Sequence, residues 1–337
     1  MSRGARRRQR QQPRTLQVFL IIVLVLLTVC VLVKAFFLKA PEQKAAELPA
    51  QPASSDTDSQ QSREEQAAQE ALRSHLERKG GFYTILLSGL DDDNGGSDTN
   101  ILVAVDTVNG YVYGVSIPRD SKAIIDGKAR KINYAYNKGG TKLLADTISE
   151  QLGIPVDYTV SVDLTGFEAL VEAIGGVDFD VPINMDYDDP IQNLSIHFKK
   201  GVQHLSGADA LRVVRFRHNN DGSGYGSEDL GRMATQQKFL KAVAKKMLSA
   251  GNILTKIDDY AKIFNQYVDT NLTVGNLAWL GTEVLKMGVD KIDFSTLPNA
   301  WKYPYIYLDP TETLTLVNTY LNPYVEDRTA EDLHLPS

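Results

Sequence analysis

One stretch limits every fold open to this chain: the apolar run "LQVFLIIVLVLLTVCVLV" from Leu16 to Val33. With the following "KAFFLK" it approaches the ~20 apolar residues that cross a bilayer as a helix. Six arginines precede Thr15, and residues 1–39 contain no acid. Basic residues stay on the cytoplasmic side, so the N-terminus is expected inside and everything beyond residue 40 outside. A cleaved signal peptide is the alternative. The run is long for that, and Phe36, Phe37 and Lys39 stand where a small-x-small cleavage site would follow. The sequence therefore predicts a cytoplasmic basic tail over residues 1–15 and a signal-anchor transmembrane helix over 16–38.

An extracytoplasmic body excludes several function classes. The net charge is −6, and taking away the eight Lys and Arg of residues 1–39 leaves −14 on the remainder. Such a body lacks the broad basic face that nucleic acid requires. No ATP or NAD is supplied outside, and there is no GxxxxGK[ST] loop to hold one, so no nucleotide cofactor is expected. The single cysteine, Cys30, lies within the apolar run, which denies the body a disulfide or a thiolate metal site. The five histidines show no HExxH spacing, and GxSxG is absent.

Residues 39–80 read as a linker and stalk: a Pro/Ala/Ser/Gln-rich stretch without aromatics, then the helix-forming "EEQAAQEALRSHLERK" stopped by Gly80-Gly81. The folded domain is expected over 81–325, followed by a tail over 326–337. "FYTILLSG", "ILVAVD" and "YVYGVSI" are short apolar runs of strand length, and Asn109-Gly110 marks a hairpin between the last two. Helices are predicted for "GGTKLLADTISEQLG" and for "TGFEALVEAIGG", the latter with Thr165 and Glu168 as its capping box. "SGADALRVV" is another, with Ser206 and Asp209 at its start. A long helix from about Glu228 to Ala250 follows, then helix, strand and helix to Leu321. Strands alternating with helices predict an α/β fold, a three-layer α/β/α domain whose early hairpin makes the central sheet mixed.

Four places could carry chemistry. In "SGLDDDNGGSDTN", Asp91 leaves the first strand and Asp98 lies across a Gly-rich turn. Ligands of alternating α/β sheets gather at carboxyl ends of strands, and paired carboxylates there suit a hard cation such as Mg²⁺. A solvated turn is the plainer meaning of such a stretch. "SIPRDS" places Arg119 and Asp120 at another strand end, where a surface ion pair would be worth little. Lys131 precedes the aromatic "INYAYNKGG". Lastly, if "RFR" is extended, Arg215 and Arg217 flank an anchored Phe216, while Asp229, Arg232 and Gln236 share one face of the next helix. Several guanidinium groups so grouped match phosphate oxygens in planar, bidentate fashion, and a salt-bridged cluster with local Asp and Glu is the equal alternative.

In this order the blocks "ILLSGLD", "SDTNILVAV", "VSIPRDS", "KINYAYNKGG", "LGIPVDYTVSVDLTGFEALVEAIGGVDFDVP", "LSGADALRVVRFR" and "DLGRMATQQ" make the chain resemble the LytR-CpsA-Psr family of Gram-positive cell envelopes, over about Phe82 to Pro298. The resemblance implies a phosphotransferase on the outer membrane face. Its donor would be a glycopolymer (teichoic acid or capsule-like) on a polyprenyl-pyrophosphate carrier, and its acceptor a muramic acid hydroxyl of peptidoglycan. It implies that Asp91 and Asp98 hold Mg²⁺ (or Mn²⁺), and that Arg119, Lys131, Arg215, Arg217, Arg232 and Gln236 bind the pyrophosphate. Arg119, Arg215 and Arg217 are then the catalytic cations, and Asp98 and Asp229 the candidates for general base or orienting carboxylate. The chain departs from the family where Gly96-Ser97 replace an arginine before "SDT", and where Asp92 and Asp93 follow the first aspartate. Two other readings stay open: an envelope sensor that binds pyrophosphoryl lipids without turnover, and a pyrophosphohydrolase that uses water as acceptor.

Overall fold

The computed structural model describes residues 39–44, 75–90, 96–191, 194–225, 235, 238–239, 242–243, 246 and 257–337. The expected anchor and most of the stalk lie outside these residues. Among the described residues no helix is long and apolar enough to cross a membrane.

The centre is built early in the chain. β1 (Phe82–Leu90), β2 (Ser97–Asp106) and β3 (Tyr111–Ile117) form an antiparallel meander. The turn after Asp106 closes on its side chain, whose Oδ1 accepts from the N–H groups of Val108 at 3.0 Å and Asn109 at 2.7 Å. After Ile117 the hairpin β4 (Lys122–Ile125) and β5 (Lys128–Lys131) turns through Asp126 and Gly127, both at positive φ (53° and 68°). That is the Asp-Gly signature of a tight primed turn. α1 (Asn133–Leu152) breaks at Gly139-Gly140, where Gly140 has φ 63°, and ends on a left-handed Gly153 as expected. β6 (Tyr158–Asp163) then pairs with β1 in parallel.

α2 (Leu164–Ala173) is capped differently from expectation. Asp163 Oδ1, not Thr165, accepts from the N–H of Gly166 at 2.6 Å. The strand's last residue thus doubles as the helix cap, two residues earlier than the Thr165–Glu168 pattern. β7 (Val177–Val181), β8 (Met185–Asp189), β9 (Leu194–Phe198) and β10 (Gly201–Leu205) make two small antiparallel pairs, β7 with β10 and β8 with β9. α3 (Gly207–Arg215) starts on Ser206, whose Oγ accepts from the Asp209 N–H at 3.2 Å, as predicted. A Cβ on Gly207 would overlap the Glu168 carbonyl, which is why α2 and α3 can lie so close. Residues 235, 238, 239, 242, 243 and 246 are helical, within the predicted long helix.

α4 (Ile257–Tyr267), β11 (Val268–Thr270), α5 (Val274–Met287) and β12 (Ile292–Thr296) complete the sheet, in the order β11-β6-β1-β2-β3-β12. β1/β6 and β3/β12 are parallel pairs and the rest antiparallel, so the sheet is mixed as expected. β13 (Asn299–Lys302), β14 (Tyr305–Leu308) and α6 (Pro310–Leu316) follow.

Side-chain alternation splits the core by faces. Tyr83, Ile85 and Leu87 meet α2, α3, α5 and Phe239. Phe82 and Leu86 meet Leu144, Ile148 and Leu152 of α1, together with Val317 and Leu321. The amino ends of β1 and β6 are pinned by a buried Asp157. It takes Arg78 Nη2 at 2.8 Å, the Thr84 N–H at 2.9 Å and the Lys44 N–H at 3.2 Å. Breaking such a buried pair costs about 3–5 kcal/mol. Residues 326–337, expected as a tail, stay on the domain: Arg328 is buried over the Tyr324 ring at 4.3 Å, and the His334 N–H donates to the Gln151 carbonyl.

Candidate active site

β1, β3, β6 and β12 all run toward one end of the sheet, where β2 begins. That end carries polar groups on an otherwise apolar surface. Ser88 of β1 sits between Asn100 of β2 and Ser161 of β6, and Thr141, just past the glycine break in α1, meets Ser161 Oγ at 2.9 Å. Ser97 donates its hydroxyl to Asn100 Oδ1. Ser88 Oγ, Thr99 Oγ1 and Asn100 Nδ2 are buried without a hydrogen-bond partner among the described residues. Buried polar groups are ordinarily satisfied, so a cluster of such atoms at one strand end marks a place built for more than packing.

The ladder slips at this point. Gly89 faces Thr99 but Leu90 faces Ser97, which leaves Asp98 as the extra residue of a β-bulge. Bulges bend the strand and re-aim a side chain, and they concentrate beside active sites. Gly96 precedes it, and a Cβ there would come 3.1 Å from Asn137 Oδ1. The Asn137 side chain of α1 thus lies against the position where an arginine was expected from the resemblance.

Next to it, Pro118 ends the β3 ladder and the Ser121 N–H closes a turn on the Pro118 carbonyl at 2.9 Å. Arg119 lies in this turn beside a buried Asp120. Lys131, brought back by the β4–β5 hairpin, places Nζ 2.9 Å from Asp120 Oδ1, and Arg119 Nε is 4.0 Å from the same oxygen. Arg119 and Lys131, chosen from separate motifs, therefore converge on one carboxylate. The expectation of a surface ion pair was too modest, because Asp120 is 3% exposed.

Arg215 and Arg217 come from the opposite face. Arg215 is the last residue of α3 rather than part of an extended segment, and the chain becomes extended at Phe216. Phe216 is fully buried among α2, α3 and sheet residues, as foreseen, so the two arginines flank a fixed ring. Beyond Arg217 the loop lies along β8. Asn219 Oδ1 accepts from the Asp186 N–H at 2.7 Å and Asn220 Oδ1 from the Asp188 N–H at 2.6 Å. Tyr187 lies between them; burial raises its hydroxyl pKa, with Asp189 adding to the rise and the Arg217 cation opposing it. Asp91, Asp229, Arg232 and Gln236 lie outside the described residues, and Asp98 is described in its backbone. Among the described residues no group of three His, Cys, Asp or Glu gathers as a metal site.

Sequence reasoning passed over His197 on β9. Its Nδ1 meets Asp186 Oδ1 at 2.7 Å and its Nε2 meets Asp188 Oδ1 at 3.2 Å, the two residues that hold the Arg217 loop. The Asp186 hydrogen bond, then both carboxylate charges, raise the imidazole pKa. A raised folded-state value means this tie is complete below the ordinary imidazole pKa of ~6.5 and lost as pH climbs through the raised value. Amide exchange at Asp186, Asp188 and Asn220 is therefore expected to accelerate beyond its intrinsic trend above that pH, and His197→Gln to remove the inflection. An unchanged inflection in the variant would assign it elsewhere.

The LytR_cpsA_psr family model matches residues 48–321. The chain is 37% identical over 202 residues to TagV of Bacillus subtilis, named a polyisoprenyl-teichoic acid–peptidoglycan teichoic acid transferase; this covers 57% of the chain and 50% of TagV. It is 33% identical over 222 residues to MsrR of Staphylococcus aureus, named a regulatory protein, covering 65% of each. The chain thus spans half to about two thirds of the length of these curated relatives. The crystal structure of B. subtilis TagV matches with a TM-score of 0.57 at 31% identity, covering 72% of this chain and 96% of that one. The structure of TagT bound to LI-WTA matches with a TM-score of 0.55 at 25% identity, covering 73% and 91%.

Proposed function

The chain belongs to the LytR-CpsA-Psr family, and from that premise we propose that it is an envelope phosphotransferase, anchored with its N-terminus in the cytoplasm and its body outside. It transfers an anionic glycopolymer from a polyprenyl-pyrophosphate carrier to a muramic acid hydroxyl of peptidoglycan. The similarity to TagV supports a teichoic acid as that polymer. The observation that carries the reading is the convergence of Arg119 and Lys131 on buried Asp120 at the end of β3, beside the bulge that holds Asp98.

The acceptor oxygen attacks the phosphorus that bears the glycan. The P–O bond to the carrier phosphate breaks, and polyprenyl phosphate leaves with that electron pair. The hydroxyl proton passes to a carboxylate, with Asp98 and Asp229 as the candidates. Phosphoryl transfer asks chiefly for positioning and for charge stabilisation. Asp120 orients Arg119 and Lys131, and the buried Phe216 fixes the chain between Arg215 and Arg217. Arg232 and Gln236 complete the pyrophosphate contacts. Asp91 and Asp98 would supply hard carboxylate oxygens, which suit Mg²⁺ or Mn²⁺, and at the same strand end Ser88 Oγ and Thr99 Oγ1 are buried without a partner among the described residues. When bound there, the ion would neutralise pyrophosphate charge.

The similarity to MsrR favours a second reading, a regulator that binds such lipids without turnover. The full chain in vesicles, given a short polyprenyl-pyrophosphoryl saccharide and solubilised glycan strands, separates them by mass spectrometry. The expected products are polyprenyl phosphate and a glycan strand carrying a new phosphodiester. Free saccharide phosphate alone would make it a hydrolase; bound but intact lipid would make it a sensor.

A further inference from the structure

The hairpin of β13 and β14 carries an aromatic surface that this chemistry leaves unused. Its sequence from Trp301 to Tyr307 is "WKYPYIY". Trp301 is 44% exposed and Tyr303 at the tip 86% exposed. Solitary exposed aromatics are ordinary, but two on one short hairpin form a patch whose usual meaning is recognition. The hairpin is also held firmly. Lys302 pairs with Tyr305 and Ala300 with Tyr307 on the face turned toward β4 and β5. There Tyr305 Oη donates to the Ala129 carbonyl at 3.2 Å, and Lys122 Nζ sits 5.0 Å from the Tyr307 ring centre. Trp301, opposite Ile306, belongs to the other face. The Ile306 N–H donates to the Asp120 carbonyl at 2.9 Å, so the hairpin backbone that carries the exposed rings is tied to the residue that orients Arg119.

We propose that this hairpin is a sugar-stacking platform that receives the acceptor glycan strand and leads it to the Arg119–Asp120 turn. The proposal rests on the transferase reading and names its acceptor subsite. Pyranose rings present flat faces of C–H groups, which pack on the electron-rich faces of indole and phenol rings.

A membrane surface also favours Trp, Tyr and Lys, but the placement argues against it. Lys39, one residue past the expected anchor, is bound at the other end of the sheet. Its N–H reaches the Gly275 carbonyl at 3.4 Å, and its carbonyl accepts from Asn276 Nδ2 at 3.1 Å. Gln43 Nε2 nearby donates to the Phe82 carbonyl at the start of β1. The hairpin follows β12 at the opposite, carboxyl end, away from the anchor and toward the wall. The donor's pyrophosphate occupies the Arg119–Asp120 turn at this same end, which leaves the exposed hairpin beside it to the acceptor.

The chain has two tryptophans, Trp279 and Trp301, and Trp279 packs edge-on against Tyr83 at 5.6 Å inside the domain. Emission changes on ligand addition therefore report on Trp301, with Trp301→Phe as the control. The full chain, reconstituted in phosphatidylglycerol vesicles with brominated acyl chains, is titrated with lysozyme-solubilised peptidoglycan strands. The expected result is a saturable emission change without bromolipid quenching. Trp301→Phe should lose the emission change but still retain strands in a sedimentation assay. Trp301→Ala with Tyr303→Ala should weaken that retention by at least about 10-fold with an unchanged melting temperature. Parent-like retention in the double variant overturns the proposal, as does quenching of Trp301 by bromolipid. So does a loss confined to the lipid-linked donor. Strand binding by the hairpin in a chain without transfer would leave this platform standing and remove the transferase reading alone.

Discussion

Asp98→Ala is expected to cut transfer by at least about 1,000-fold while the domain stays folded, and Asp91→Ala to do the same. The magnitude follows from several kcal/mol of charge stabilisation lost when a carboxylate ligand of the proposed ion is removed. The stability claim follows from the position. Asp98 is the extra residue of the β2 bulge, outside the regular pairing of β1 and β2, so the ladder does not rest on a pair at this position. Two carboxylates gathered without a cation repel each other, so losing one costs the ion-free fold little. Transfer at buffered free Mg²⁺, with melting curves recorded with and without the ion, checks both halves. The parent protein should melt higher with Mg²⁺ and the variants should not. Parent-rate transfer by both variants would remove the metal assignment.

Short apolar runs and caps made the strands of the meander, the part of α1 from Gly139 to Gly153, and the Ser206 start of α3 legible in the sequence. Each of these is set by residues near in the chain. The errors at β2 and at Asp120 fall where the deciding partner is distant. β2 was expected from Ile101, yet it begins at Ser97 because β1 continues to Leu90 and offers it a ladder. Asp98 thereby moved from a turn into a bulge. The cap of α2 fell to Asp163 because β6 runs straight into the helix. Asp120 read as half of a surface pair, since nothing local says that the β4–β5 hairpin returns Lys131 to it. The Asp126-Gly127 pair that makes this hairpin was a signal present in the sequence and passed over. Ser88, Asn100, Thr141 and Ser161 carry no motif at all; only the sheet order assembles them.

Arg217→Ala is expected to lower the single-turnover transfer rate by at least ~100-fold, and Arg217→Lys to recover little of it. One preorganised donor aimed at developing negative charge is worth about that much. Lysine keeps the charge but loses the planar fork that meets two phosphate oxygens together. The structure gives the arginine the rigidity such a role needs. Phe216 before it is fully buried, and the loop after it is bound to β8 through Asn219 and Asn220. A shorter amine on that fixed backbone has no freedom to move closer. If Arg217 stabilises charge that grows as the carrier phosphate leaves, its loss falls on the rate and spares ground-state affinity. The measurement pairs single-turnover transfer from a short polyprenyl-pyrophosphoryl saccharide with the affinity of a non-hydrolysable analogue. A variant that transfers at the parent rate, or loses only affinity, makes Arg217 a binding contact and shifts weight to the sensor reading.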